Sequence, residues 1–375
     1  MSSGTNTQAL SVLVVDDSAL YRKVLKEVVN DISGASFAGS AANGKLALDK
    51  LQRMPVDFVL LDLEMPEMNG IETLELISRD YPDMGVVMVS GTNQNAADIT
   101  IEALDKGALD FVAKPDGASK EENKAQLVKQ LTGIFRSFSI RRNLRKIRRM
   151  SGAPRHPVAT EEPVRSRPAA PASAIAEKRP GHQIDVLVIG VSTGGPKALT
   201  RLVPLLPPDL RVPVLIVQHM PPLFTASLAK SLDKKSKLRV QEAEVGKLIE
   251  PGTVLIAPGG KHMVVRKNGN DADSFTVGLN ENPPENSCRP AADVLFRSVA
   301  AMYRKNILAV VMTGMGEDGM RGVKTLKQRG CYCLTQDEET CVIYGMPKAV
   351  VEAGLSDESQ PIDHLAGRIT ALVNN

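Results

Sequence analysis

Short apolar, β-branched runs alternate with amphipathic stretches twice along this chain, and that alternation leaves few folds open. From Val12 to about Ser139 the strand-like runs read VLVVDD, FAGSAA, FVLLDL, VVMVSG and DFVAKP. Between them lie ALYRKVLKEVVND, GKLALDKLQR and IETLELISRD, with apolar residues at helical spacing. Strands that alternate with helices pair in parallel and carry helices on both faces. From Ile184 onward the pattern resumes with DVLVIGV, VPVLIVQ, GTVLIAP, HMVVR, NILAVVMTG and GCYCLTQ. The expectation is an α/β chain of two doubly wound parallel-sheet domains, residues 1–139 and 183–375. The first is flavodoxin-like and the second Rossmann-like.

Composition separates the two halves. Between residues 140 and 182 Pro, Ala, Arg and Ser dominate and no apolar period survives. Such a segment buries too little surface to offset its ordering entropy. It reads as a flexible linker, with RRNLRKIRR as a basic tail on the preceding helix. Residues 141–181 hold eleven Lys or Arg against three Glu, so this stretch carries +8 of a net charge of +3 and the remainder nets −5. A solvated linker accounts for that charge without a nucleic-acid partner. There is no signal peptide and no apolar run that spans a bilayer, so a cytoplasmic chain is expected. Cys288, Cys331, Cys333 and Cys341 form no CxxC pair. Reduced thiols are expected, and without a CxxC pair a zinc site is disfavoured.

Acidic residues stand where the first and third strands end: Asp16 and Asp17, then Asp62. In an open parallel sheet those ends meet in one crevice. Clustered carboxylates repel, and a hard cation such as Mg²⁺ relieves the repulsion. The fourth strand ends at Ser90 and the fifth at Lys114, which adds a hydroxyl and an ammonium to the same crevice. This set suits transfer of a phosphoryl group to a carboxylate, with Lys114 and Mg²⁺ offsetting charge and Ser90 hydrogen-bonding the product.

In the second half, Gly190, Ser192 and Gly194 fit G-x-S-x-G between a strand and a helix. The glycines permit a sharp turn and expose the hydroxyl. The same loop also suits an anion held at a helix N-terminus, so a non-catalytic protein that binds an anionic ligand at the Ser192 loop under control of the first domain is the alternative. VPVLIVQHMPP ends at His219, and ILAVVMTGMGEDGM ends near Asp318 among glycines. A serine, a histidine and an aspartate at three strand ends form a potential triad, whatever their chain order. No G-x-G-x-x-G is present for a dinucleotide. His262 and Arg289 either line a substrate groove or only shape loops. His156, His182 and His364 read as surface or linker residues.

VLVVDDS, VLLDLEMPEMNG, VVMVSG and DFVAKP resemble the receiver domain of two-component response regulators. The resemblance implies Asp62 as phosphoacceptor, and Asp16, Asp17, Asp62 and the backbone carbonyl of Glu64 as Mg²⁺ ligands. It also implies Ser90, Lys114 and Phe111 as the phosphoryl switch. Gly91 follows Ser90 where a bulkier small residue is common. IGVSTGGPKAL, VQHMPP, IAPGGKHM, RPAADVLFRS, VVMTGMGEDGM and TQDEETCVIYGMPKAV resemble the chemotaxis protein-glutamate methylesterase catalytic domain. That family implies Ser192 as nucleophile, His219 as base and acid, and Asp318 as orienting acid. Thr193 and the backbone N–H of Met315 are the implied oxyanion donors, and the esterase needs no cofactor. The implied domains are a receiver at 1–139, a linker at 140–182 and a methylesterase at 183–375. The implied substrates are glutamate γ-methyl esters, and particular glutamines, on methyl-accepting chemoreceptors. A chemotaxis histidine kinase is the implied phosphodonor, with the receiver covering the catalytic face until Asp62 is phosphorylated. Neither nucleic acid nor membrane insertion is expected, and the chain is expected to be a monomer.

Overall fold

The computed structural model describes residues 9–115, 119–150, 184–269 and 271–374. The first domain contains β1 (Leu10–Val15), α1 (Ala19–Asp31), β2 (Ala35–Ala41), α2 (Gly44–Arg53), β3 (Phe58–Asp62), α3 (Gly70–Asp80), β4 (Gly85–Ser90), α4 (Gln94–Asp105), β5 (Asp110–Ala113) and α5 (Lys120–Met150). Its strands form a five-stranded sheet in the order β2-β1-β3-β4-β5, with every pairing parallel. Every residue of β3 and β4 is buried, as central strands covered by helices on both faces require. Ser18, Asn43, Asn69 and Asn93 cap α1 to α4, each accepting a backbone N–H into its side chain, and Asn69 with Glu72 closes a capping box. Those caps fix where each strand-to-helix turn ends.

The helix α5 runs on to Met150, so the linker expected from residue 140 begins with helix. The basic run at 141–149 continues that helix, because it contains neither Gly nor Pro to stop it. The rest of the expected linker, with His156 and His182, lies outside the described residues.

The second domain contains β6 (Val186–Val191), α6 (Gly195–Leu202), β7 (Val214–Gln218), α7 (Phe224–Lys235), β8 (Arg239–Glu242), β9 (Thr253–Ile256), β10 (His262–Asn268), β11 (Asp271–Asn280), α8 (Ala292–Met302), β12 (Ile307–Val311), α9 (Met320–Lys327), β13 (Tyr332–Gln336), α10 (Met346–Glu352), β14 (Glu358–Gln360) and α11 (Ile362–Val373). A seven-stranded parallel sheet has the order β14-β13-β12-β6-β7-β9-β8. One expected strand lies elsewhere: HMVVR belongs to β10, which pairs antiparallel with β11 in a separate two-stranded ribbon. Its first residues are buried or half-buried and Arg266, Lys267 and Asn268 are exposed, so the ribbon rests on the domain by its near end.

In both sheets the chain reverses its direction of winding at the centre. The reversal falls between β1 and β3 in the first sheet and between β6 and β12 in the second. Crevices form outside the carboxyl ends of strands at such points. The two crevices are therefore set by topology before any side chain is considered.

Candidate functional site

At the first crevice, Lys114 Nζ sits 2.9 Å from both Asp62 Oδ2 and Asp16 Oδ2. Ligand atoms of Asp16, Asp17 and Asp62 all lie within 4.8 Å of one another. Burial pushes the Asp62 carboxyl up to about 6, opposed by the Lys114 hydrogen bond and reinforced by the Asp16 charge. One lysine does not balance three carboxylates, and the all-oxygen donor set is the kind a hard divalent cation takes. Ser90 is fully buried, and its hydroxyl donates to Gly91 O at 3.1 Å and accepts from Thr100 Oγ1 at 2.7 Å. Glu64 stands at the rim, where its side chain accepts from Asn95 at 3.4 Å.

The second crevice holds Ser192, His219 and Asp318. Ser192 follows β6, and its backbone is pinned on two sides. Its N–H donates to Thr313 O at 2.9 Å, and its carbonyl accepts from Gly195 N–H at 2.7 Å and Gln218 Nε2 at 2.9 Å. Gly194 takes φ 72° as it opens α6, and a Cβ there would lie 2.2 Å from a Val342 methyl. Only glycine meets both demands. His219 directly follows β7, and its Nε2 lies 2.7 Å from Asp318 Oδ2. Asp318 is buried and also accepts from Ala292 N–H at 2.6 Å, Asp293 N–H at 3.0 Å and Asn286 Nδ2 at 2.9 Å.

These contacts decide the charges. Burial alone would lower the proton affinity of His219, but hydrogen bonds to Asp318 and Cys288 outweigh it and hold it raised. Burial alone would raise the Asp318 carboxyl, but the His219 hydrogen bond, that ring's charge and two backbone N–H groups hold it low. The pair is poised to carry imidazolium beside carboxylate. Nε2 is committed to Asp318, which leaves Nδ1 as the ring nitrogen for a serine proton. Among the described residues the Ser192 hydroxyl has no hydrogen-bond partner, so the structure forms the His219–Asp318 half of the constellation and not a Ser192–His219 bond.

Unlike the receiver helices, α6, α9 and α10 begin at Gly194, Gly319 and Gly345 with no side-chain cap. Their first N–H groups are left for other acceptors. The Met315 N–H makes no hydrogen bond among the described residues. The carbonyl of Thr193 accepts from Thr313 Oγ1 at 2.9 Å.

The first domain closes over this crevice. Asp110 Oδ2 accepts from Gly194 N–H at 2.9 Å, and Asp110 Oδ1 accepts from Phe111 N–H at 2.9 Å. Phe111 stacks on Phe224 of α7, with centroids 4.7 Å apart and planes 12° from parallel. Met315 meets α5, where a Cβ on Gly133 would lie 2.6 Å from its sulfur. On α7, Ser227 bonds Gln94 and Asp98, and Lys235 pairs with Asp105. Ala97, Ile101 and Leu104 of α4 belong to the same buried apolar cluster as Leu228 and Leu232 of α7.

Several residues take roles that sequence patterns do not display. Asp110, Phe224, Asn286, Asp293 and Gln218 touch the site only through the fold. His262 is buried, with Nε2 3.2 Å from Pro283 O. Arg289 binds the carbonyls of Glu281 and Asn282. Both therefore brace the chain after β11. His364 is exposed. The four cysteines are free thiols, with Cys331, Cys333 and Cys341 buried. Among the described residues no helix is long and apolar enough to cross a membrane.

Fold and site together define a receiver-coupled α/β hydrolase. The family model for CheB methylesterase matches residues 187–369, and that for the response regulator receiver domain matches residues 12–126. A Desulfotalea psychrophila relative named protein-glutamate methylesterase/protein-glutamine glutaminase is 43% identical over 97% of this chain and 98% of its own length. A Geobacillus kaustophilus relative of the same name is 42% identical over 98% of this chain and 99% of its own length. The solved catalytic domain of Thermotoga maritima CheB methylesterase is 40% identical, with a TM-score of 0.49 over 51% of this chain and 100% of that one. The chain belongs to the CheB methylesterase family with an N-terminal receiver domain.

Proposed function

We propose that this chain is a phosphorylation-gated serine hydrolase that converts glutamate γ-methyl esters and particular glutamines in chemoreceptors to glutamate. The His219–Asp318 pair beside Ser192 is the observation that carries this reading. Nδ1 of His219 accepts the Ser192 proton as Oγ attacks the side-chain carbonyl carbon. Charge that develops on the carbonyl oxygen meets the Met315 N–H, which has no partner among the described residues, and the Thr193 hydroxyl. The imidazolium, held by Asp318, then protonates the leaving group, which departs as methanol or as ammonia. Water deprotonated by the same histidine hydrolyses the acyl-serine and regenerates the enzyme.

In the receiver, Asp62 accepts the phosphoryl group and Lys114 pairs with it. Asp16, Asp17, Asp62 and the Glu64 carbonyl would hold Mg²⁺, which when bound offsets charge between the carboxylates and the incoming phosphoryl oxygens. The donor would be a chemotaxis histidine kinase. The reading places the chain in the cytoplasm as a monomer, without nucleic acid. Methanol release from methylated receptor, with and without a small phosphodonor, tests it. Release that rises with phosphodonor is the expected result. A protein that binds methylated receptor and releases no methanol overturns it.

A further inference from the structure

Between β11 and α8 the chain makes a tight turn, Glu285–Cys288. It is closed by Glu285 N–H to Cys288 O at 3.1 Å and Cys288 N–H to Glu285 O at 2.9 Å. Both central residues lie in the left-handed region, Asn286 at φ 53° and Ser287 at φ 63°. Asparagine tolerates that region, whereas serine adopts it only when its surroundings enforce it. Arg297 of α8 enforces it by gripping Glu285 with two hydrogen bonds.

The turn fixes the Asn286 amide between two acids. Nδ2 donates to Asp318 Oδ1 at 2.9 Å and to Asp293 Oδ2 at 3.1 Å. Both acids are buried. Two buried carboxylates that approach one another share a proton unless hydrogen bonds keep both ionised. We propose that Asn286 is a positioning residue for ester hydrolysis, standing between Asp293 and Asp318 so that Asp318 stays ionised and aimed at His219. The inference rests on reading Asp318 as the acid of a working triad.

The surroundings leave this task to few groups. On Asp318, His219 and the N–H groups of Ala292 and Asp293 occupy the other acceptor positions. On Asp293, Oδ1 accepts from Gly322 N–H at 2.6 Å, which leaves Oδ2 to Asn286. Burial and the Asp318 charge raise the proton affinity of Asp293, and the Gly322 N–H opposes them. Arg297 is committed to Glu285, which also feels the His262 ring. Cys288 faces the His219 ring rather than the acids. Removing the Asn286 amide therefore strips a donor from each carboxylate at once. A proton from solvent would then settle between them, and the imidazolium formed during attack would lose its counter-charge.

The test uses the full chain activated by a small phosphodonor, with methanol release from methylated receptor followed across pH. Asn286→Ala should lower kcat at neutral pH about tenfold with little change in KM, the cost of one lost donor to a buried charge. The acid limb of its kcat profile should move up by about one pH unit, because with a donor lost the His219–Asp318 pair holds its proton more tightly beside Asp293. Adding Asp293→Asn to that variant should return the limb, since an amide cannot share the proton. Asp293→Asn alone, which keeps the Asn286 turn, should shift the wild-type limb downward. Loss of rate at all pH values alike, with unmoved limbs in all three variants, overturns the proposal. Asp318→Asn is the reference: if it keeps wild-type activity, the triad reading has failed rather than the role of Asn286.

Discussion

Asp110 of the receiver accepts a hydrogen bond from the backbone N–H of Gly194, the residue that opens the helix just beyond Ser192. Asp110 begins β5, the strand that carries Phe111 and leads to Lys114. One short segment thus reaches the Asp62 carboxylate at one end, through Lys114, and the Ser192 loop at the other. The contact places a carboxylate against a helix N-terminus, where partial positive charge collects. It also covers a donor beside the place where the reaction would build negative charge. On the proposed reading, docking and catalysis would use the same stretch of backbone and so would exclude one another.

Closure should respond to pH through Asp110. Burial raises its carboxyl to about 7, against N–H groups of Phe111 and Gly194 that pull it down. An undocked Asp110 would titrate at about 3.9, the ordinary carboxyl value. The docked state therefore binds this proton more tightly. Its contribution to docking is fully present below the undocked value and is lost as pH rises through about 7. The ratio of basal hydrolysis in Asp110→Asn to that in the wild type should fall as pH rises from about 4 to about 7 and the wild type opens, the interval between the undocked and docked values. A ratio that is flat in pH would show that Asp110 does not titrate on docking.

Stacking should hold the two domains together more firmly than charge does. The Lys235–Asp105 pair is partly exposed, and such pairs contribute about 0–1 kcal/mol. Phe111 on Phe224 adds about 0.5–1.5 kcal/mol beyond its buried area, and that area adds more. Phe111→Ala should raise basal methanol release about tenfold and Lys235→Ala by less than about threefold. Raised salt should resemble the lysine substitution. Equal effects from the two substitutions would assign docking to electrostatics.

Ser192→Ala should abolish hydrolysis by orders of magnitude, because triad members act as a unit. It should leave the melting temperature near the wild-type value, since the hydroxyl has no hydrogen-bond partner among the described residues to lose. Retention of more than about a tenth of the activity would exclude Ser192 as nucleophile.

The contrast between legible and illegible residues has a physical basis. Asp16, Asp62, Ser90, Lys114, Ser192 and His219 stand at or beside strand ends, and a parallel sheet sends all those ends to one side. Strand recognition therefore located them together. Asp110 differs because its partner, Gly194, belongs to another domain, and a linear pattern does not report domain docking. Asn286 differs because its place depends on a turn held by Arg297 from the next helix. The run HMVVR is apolar enough for either a sheet or a ribbon, and its partner β11 is not among the strands that the sequence pattern picks out. Only the pairing partner, His262 opposite Asn280 onward, distinguishes the two. The strand β14, ESQ, is polar and three residues long, so it lacks an apolar signature altogether.

Of the docking segments, β5 is the one that leads directly to Lys114 beside the Asp62 carboxylate. Lys114 now bridges Asp62 and Asp16. A phosphoryl group on Asp62 would draw the lysine toward its own oxygens, and Lys114 lies at the end of the strand that holds Asp110 and Phe111. The phosphoryl group opens the enzyme only by the difference in its interaction with docked and undocked states. A tenfold activation requires about 1.4 kcal/mol of such difference. Removing the lysine removes the link but not the acceptor carboxylate. Lys114→Ala should therefore still take up phosphoryl from a small donor when Mg²⁺ is present, while its hydrolysis rate stays near the basal value. Asp62→Asn should do neither, and chelation of Mg²⁺ should abolish uptake in the wild type. Uptake is read by labelling and opening by methanol release, so the two are separable. If Lys114→Ala is activated as fully as the wild type, the signal reaches Gly194 by a route other than β5.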